Sequence, residues 1–508
     1  MAQADRLSMA WRTVAARRRS YGSGRYDEGR RSTILAVELS LCVAWLLGSW
    51  LLSTIFASVW WSVASLGTYA WLVILLVRAE PTGAALLLPT LIEKASTFVA
   101  LALIPFDSQI PELGLIGAPS GCAPAFAVYT AISLVSYVLL FRLLNRNTQG
   151  KSGYPLTPLF DRLATPIALG LVAFSGIMIL DLLASGARSG FPLLTGMDRF
   201  YFRRVFADKG TLYILNLKFV TSFMLGMVVF CLPAQATVRQ LAKLAYTALM
   251  VMYFLFGDKF FTMLASLSAF FAPYLYLNAR AVLQQIGRYA VAAAAALMVV
   301  FAVTWFIYSD LGRQNPTATA QRLSGRVVGQ GELWYLQYGL GAPVWNWDGE
   351  MVDRNIQALT VKDIDIFALR ASIGPAFYSN GYAPDKIRTS LHRNAGSVTY
   401  TAALEPLGLH TFGWGGLAIM MVIVGFMSAL GSAYVALAIR TRSILMGTFA
   451  AYVSVQLRTT LAQGTPYVLF SVFSMVWLSV ILLIELSLLL VGLSQRRVGQ
   501  RRPALRAF

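Results

Sequence analysis

Long apolar runs recur along almost the whole chain, and they constrain the fold more than any single motif does. A helix that crosses a bilayer needs about 20 mostly apolar residues, because each helical residue rises only ~1.5 Å. Runs of roughly that length fall at 34–56, 58–77, 84–104, 123–142, 163–183, 211–232, 241–257, 259–277, 289–308, 411–437, 444–462 and 468–492. Hydrocarbon holds no water to bond backbone N–H and C=O groups, so each run must satisfy its own as a helix. The expected fold class is an all-α polytopic integral membrane protein with about 12 transmembrane helices. Gly257-Asp258-Lys259 separates two runs so briefly that either a tight hairpin or one bent or re-entrant element is expected there.

Charge orients the runs. Only 13% of the residues are charged, against roughly 25% in a soluble domain. The net charge of +19 is concentrated in the tails and in short loops. With the N-terminus inside, the basic segments 1–33, 78–83, 143–162, 233–240, 278–288, 438–443 and 493–508 all fall inside, as the positive-inside rule requires. That distribution argues for a membrane partner and against nucleic acid. Both termini are expected in the cytoplasm. The expected parts are a basic tail 1–33, nine spans in 34–308, a loop at 184–210, a large extracytoplasmic loop 309–410, three spans in 411–492 and a basic tail 493–508. Cys42, Cys122 and Cys231 lie in or beside apolar runs, which makes a disulfide framework unexpected. With two histidines, His392 and His410, and no close Cys/His cluster, no metal site and no cofactor are expected.

Two outside loops are basic against that rule. The first contains GFPLLTGMDRFYFRR, with Arg188 just ahead of it and Arg199, Arg203 and Arg204 within it. In a helix Arg199 and Arg203 share one face, and a guanidinium suits phosphate geometry. A lipid headgroup or lipid-linked diphosphate is the obvious phosphate at a membrane face; snorkelling to ordinary headgroups is the plainer alternative. The second loop supplies Arg313, Arg322 and Arg326, then Gly329-Gln330-Gly331, Glu332, Trp334 and Tyr335. Glu332 is a candidate general base, or else a salt-bridge partner of Arg322 or Arg326. Trp334 and Tyr335 are candidate faces for sugar rings. Arg388 and Arg393 follow in DKIRTSLHR, and His410 at the edge of the next run is a second candidate base.

Glu93, Lys94, Lys218 and Arg458 fall inside runs, where ionisable groups usually face a cavity or a partner. Glu93 and Lys94 are neighbours and cannot share a helix face, so each is expected to have a different partner. Such groups also fit a transporter, although no matching pair of broken helices is evident.

The layout, a modest basic outside loop and one dominant late one, resembles the Wzy family of O-antigen or oligosaccharide repeat-unit polymerases. GFPLLTGMDRFYFRR at 190–204 and FGWGG at 412–416 carry the local likeness. Arg313 and Gly329 fit the family's arginine, fifteen residues, glycine spacing; the 188–204 loop lacks that spacing. The resemblance implies a GT-C-like glycosyltransferase arrangement in a bacterial inner (cytoplasmic) membrane. It implies transfer of a glycan from polyprenyl (undecaprenyl) diphosphate to a new lipid-linked repeat unit. Arg188, Arg199, Arg203, Arg204, Arg313, Arg322, Arg326, Arg388 and Arg393 become diphosphate or sugar contacts, and Glu332 or His410 the base. Membrane lipids, a flippase and a chain-length regulator are the implied partners. An O-antigen ligase or a polysaccharide transporter is the alternative.

Overall fold

A computed structural model describes residues 25–106, 120–149, 161, 163–195, 197, 199–258, 260–285, 298, 305, 324–325, 327–360, 373–385, 388–389, 403–465 and isolated positions beyond 465. Every regular element among these residues is a helix. They are α1 (Arg25–Ile55), α2 (Trp60–Ala79), α3 (Pro81–Leu103), α4 (Cys122–Gln149), α5 (Ala164–Ser189), α6 (Pro192–Thr195) and α7 (Arg199–Val205). Then come α8 (Lys209–Phe230), α9 (Ala236–Leu255), α10 (Phe260–Gln284), α11 (Glu332–Leu340), α12 (Gly349–Thr360), α13 (Pro375–Tyr382), α14 (Leu404–Thr441) and α15 (Ile444–Gln463). Seven membrane-length apolar helices stand out among the described residues, on α1, α2, α3, α4, α5, α8 and α14. The protein is therefore an all-α, multi-pass membrane protein. Helices α9, α10 and α15 coincide with three more of the expected runs. The runs at 289–308 and 468–492 lie largely outside the described residues.

Polar ties show which helix ends lie together. At one end Arg142 of α4 donates to the Ala79 carbonyl and pairs with Glu80 at 3.6 Å. Arg440 of α14 bonds Asn145 and the Tyr276 hydroxyl there, and Arg442 pairs with Asp161 at 2.8 Å. At the opposite end the Ser120 hydroxyl donates to the carbonyl of Ser53, near the end of α1 (2.6 Å). Helix α11, from the 309–410 loop, packs at this second end against α3, α4 and α14; it is called the long-loop end below.

Two apolar cores share α8. Val220, Phe223, Met224 and Met227 face the core built on α1–α4 and α14, while Leu215, Leu225, Val228 and Val229 face the core with α5 and α9. A helix apolar all round belongs in the middle of a bundle. Small residues let backbones meet, as is common between membrane helices. A Cβ on Gly226 would strike the Phe270 carbonyl of α10, and one on Gly425 would strike the Ser133 carbonyl of α4.

The turn at Gly257 (φ 72°) separates α9 from α10 and forms a hairpin. Helix α14 begins at Leu404, earlier than the apolar run suggests, and breaks at Gly413 (φ 72°, ψ −173°) into a short arm and a long span. The arm escapes a hydropathy reading because it carries Glu405, whose charge is paired inside the bundle.

Candidate polar seam and histidine pair

Helix α7 lays Arg203 beside the α9–α10 turn. Its Nη2 donates to Asp258 Oδ1 at 2.9 Å, and Lys218 Nζ donates to Asp258 Oδ2 at 2.6 Å. The Asp258 side chain is 3% exposed and that of Lys218 is 9%. Lys218 sits about 14 Å along α8 from Lys209, at 1.5 Å per residue. A lone charge at that depth is costly, and the shared carboxylate is what makes it tolerable.

The charges continue across the bundle. The Arg458 guanidinium of α15 lies 4.5 Å from the Phe219 ring centroid, and its charge acts on both Lys218 and Glu93. Lys94 bonds Glu405 Oε1 and stands 5.3 Å from the Phe126 ring. Glu93 and Lys94 thus do have different partners. The seam runs Arg203, Asp258, Lys218, Arg458, Glu93, Lys94, Glu405. By formal charge four basic side chains meet three carboxyl groups, an excess of one basic group. A cavity of ≈ 30 Å³ lies beside Lys94 and Glu405, lined also by Tyr69, Thr130, Tyr137 and Ser428. Glu405 Oε2 and Thr130 Oγ1 are buried there without a protein hydrogen-bond partner.

The short arm of α14 also carries His410, about 8 Å along the helix from Glu405. His410 Nε2 lies 3.2 Å from Asp348 Oδ2. The other oxygen of Asp348 accepts from the Met351 N–H at 3.0 Å, which fixes the carboxylate to the first turn of α12. Asn346 Nδ2 donates to the His410 carbonyl at 2.7 Å, and Phe377 packs 4.7 Å from the imidazole. A carboxylate facing Nε2 favours a proton there and leaves Nδ1 as the basic nitrogen.

These contacts rest on a docked loop. Asn346 N–H donates to the Phe412 carbonyl and Asp348 N–H to that of Thr411, both at 3.0 Å. In return Trp414 N–H donates to the Pro343 carbonyl (3.1 Å) and Gly415 N–H to that of Val344 (2.7 Å). Gly413 is where these strands of hydrogen bonds cross. A Cβ there would lie 2.5 Å from the Pro343 oxygen.

Other expected residues fall elsewhere. Arg188 is exposed, bonds the Ala184 carbonyl and faces Asp208 at 3.6 Å, away from the seam. Asp208 caps α8; the Thr211 N–H it accepts from holds its carboxyl below the usual range. Arg388 pairs with Asp385 at the surface. Trp334 and Tyr335, read as sugar platforms, are instead buried. Trp334 is wholly enclosed and its indole N–H donates to the Cys122 carbonyl at 2.8 Å. Burial pushes the Tyr335 hydroxyl up to about 12. Glu332 is likewise 0% exposed, inside the ring of helix ends rather than facing a solvent-borne substrate. Arg313, Arg322, Arg326 and Arg393 lie outside the described residues, as do the side chains of Arg199 and Arg204.

Sequence reading missed Asp348 and Asp258 as partners. Asp258 gave one signal, a charge in the briefest gap between two apolar runs. The acidic residues Asp348 and Glu350 are individually engaged, Glu350 by Arg354. Among the described residues no three His, Cys, Asp or Glu side chains converge as a metal site.

A family model described as a family of unknown function (DUF6418) matches residues 380–479, which include His410, the Gly413 break and Arg458. No curated protein and no solved structure matches the chain.

Proposed function

We propose that the protein is a membrane-embedded glycosyltransferase that polymerises polyprenyl-diphosphate-linked oligosaccharide repeat units. In this reading it has about 12 spans in a bacterial inner membrane, with both termini cytoplasmic and the long-loop end extracytoplasmic. The observation that carries it is the cationic excess of the seam. Arg203 and Lys218 share one carboxylate, with Arg458 acting on the same lysine. An anion entering at the long-loop end would find donors already held in low dielectric, where they are strongest.

The diphosphate of the donor binds at Arg203 and Lys218, with its lipid tail in hydrocarbon. The acceptor sugar hydroxyl attacks the anomeric carbon of the donor glycan. The bond from that carbon to the diphosphate oxygen breaks, and its electron pair leaves with the diphosphate, whose charge the cations stabilise. His410 Nδ1 takes the hydroxyl proton, and Asp348 orients the ring and balances the imidazolium. Glu332 is the weaker base candidate because it is fully enclosed.

The test is product formation from lipid-linked repeat units by Arg203→Ala, Lys218→Met and His410→Asn, beside Arg188→Ala as a surface control. Transfer falls by 10²-fold or more for the first three if donor charge and proton transfer are both lost. Wild-type transfer rates in Arg203→Ala and Lys218→Met would remove the seam from the chemistry. Transfer of a single glycan to a different lipid acceptor would make the protein a ligase. Movement of intact lipid-linked sugar with no new glycosidic bond would make it a transporter.

A further inference from the structure

The link between α11 and α12 positions His410 through its backbone and Asn346, but its outward apolar side chains take no part in the chemistry above. Its residues Leu340–Trp347 read LGAPVWNW, and no charged residue occurs between Glu332 and Asp348. Leu340, Val344, Trp345 and Trp347 are 49%, 65%, 63% and 70% exposed. Charge resumes at once in α12 with Glu350, Asp353 and Arg354.

The depth of this link follows from its neighbours. Trp414 packs on Trp50 (5.5 Å) and Tyr129 (6.0 Å between centroids). Trp50 lies about 8 Å short of the end of α1, and Tyr129 about 10 Å into α4. The backbone of Trp414 and Gly415 is the part of α14 that bonds Pro343 and Val344. The Trp345 ring lies against Gly415, 2.7 Å from where a Cβ would be. The link is therefore bonded to a residue whose ring packs below the ends of two membrane-spanning helices. Helix α11 before it is sunk among those ends too, with Gly331 against Ala100 and Leu101, and Tyr338 against Trp414. Pro343 has no N–H to satisfy, and its carbonyl and that of Val344 are both bonded to α14. Tryptophan with apolar neighbours and no charge is the composition of a membrane interface belt.

We propose that Leu340–Trp347 is a re-entrant tip seated in the headgroup and upper acyl region of the leaflet at the long-loop end, with lipid as its occupant. The tip holds Asp348, and through it His410, at membrane level. This anchoring is independent of what reaction the pair performs.

The test places one nitroxide at position 344, 345 or 347 of the full chain in a bilayer of zwitterionic and anionic lipid, with exposed position 353 of α12 as the aqueous control. Collision with oxygen and with a water-soluble nickel chelate reports depth. The tip positions are expected to show at least fivefold less nickel collision than position 353, and more oxygen collision. Nickel access equal to that at 353 overturns the proposal. Access that is high in the bilayer and falls only when lipid-linked saccharide is added also overturns it, in favour of a sugar platform. Because labelling requires replacement of Cys42, Cys122 and Cys231, a second measurement keeps the native cysteines. The emission lost in the Trp345→Phe/Trp347→Phe variant is expected to be the fraction of wild-type emission that brominated lipid quenches most. Unchanged quenching in that variant overturns the proposal.

Discussion

Replacing Gly413 with alanine tests the joint on which the His410 geometry depends. At φ 72° and ψ −173° the backbone lies in a region almost closed to other residues. Holding alanine there costs about 1–3 kcal/mol. The new methyl would also meet the Pro343 oxygen at 2.5 Å and the Asn346 nitrogen and Val344 oxygen at 3.0 Å. These are backbone atoms, so relief means moving the docked loop. Losing two of the four cross-loop hydrogen bonds costs about 1 kcal/mol each. The sum is on the order of 3–5 kcal/mol, enough to favour a detached loop locally without unfolding the spans. Amide hydrogen exchange in nanodiscs reads this directly. The amides of Asn346 and Asp348, which donate across the loop, should lose protection by two orders of magnitude or more, while α4 and α8 keep theirs. Gly431→Ala is the control: its Cβ would meet nothing closer than 3.8 Å, and a helical glycine replaced by alanine gains up to about 1 kcal/mol. Equal protection of the Asn346 and Asp348 amides in the two variants would refute the reasoning.

Asp258→Ala leaves Arg203 and Lys218 facing each other without a carboxylate and should cost about 3–5 kcal/mol. Thermal unfolding in a fixed detergent checks it, and adding Lys218→Met should recover part of the loss. Asp208→Ala removes the cap of α8 and should cost about 0.5–2 kcal/mol at neutral pH. The folded carboxyl titrates below its unfolded value, so its contribution is complete above the unfolded pKa and disappears as pH falls through the folded one. The melting difference between wild type and Asp208→Ala should therefore shrink on acidification; a difference independent of pH would contradict the charge contribution. Trp334→Phe keeps most of the packing but leaves the Cys122 carbonyl without its indole donor, a loss of about 1–3 kcal/mol by thermal unfolding.

The spanning helices were legible because hydrophobic length alone requires them, and the helix at Lys209–Phe230 begins two residues from the expected run at 211–232. Charges in those runs were legible as oddities. Their pairing was not, because Lys94 meets Glu405 and Lys218 meets Asp258 across large sequence distances that leave no local periodicity. Arg203 was visible as an outside arginine, but its carboxylate partner lay 55 residues away in the Gly257-Asp258-Lys259 gap, where nothing local points to Arg203. The enclosure of Trp334 and Tyr335 was hidden for a different reason. Helix α11 buries Glu332 through Gln337 consecutively. A segment enclosed on all sides shows no amphipathic pattern, so its aromatics read as solvent-facing. His410 was visible as one of two histidines; Asp348, sixty-two residues upstream, was hidden among other acidic residues.

The most direct test of the proposed reaction is whether the purified protein, given only lipid-linked repeat units in a bilayer, makes glycans of increasing length. The account predicts a ladder whose every added unit is matched by one released polyprenyl diphosphate. Intact repeat units at the end of the reaction, with the protein folded and the substrate shown to be competent, would contradict it.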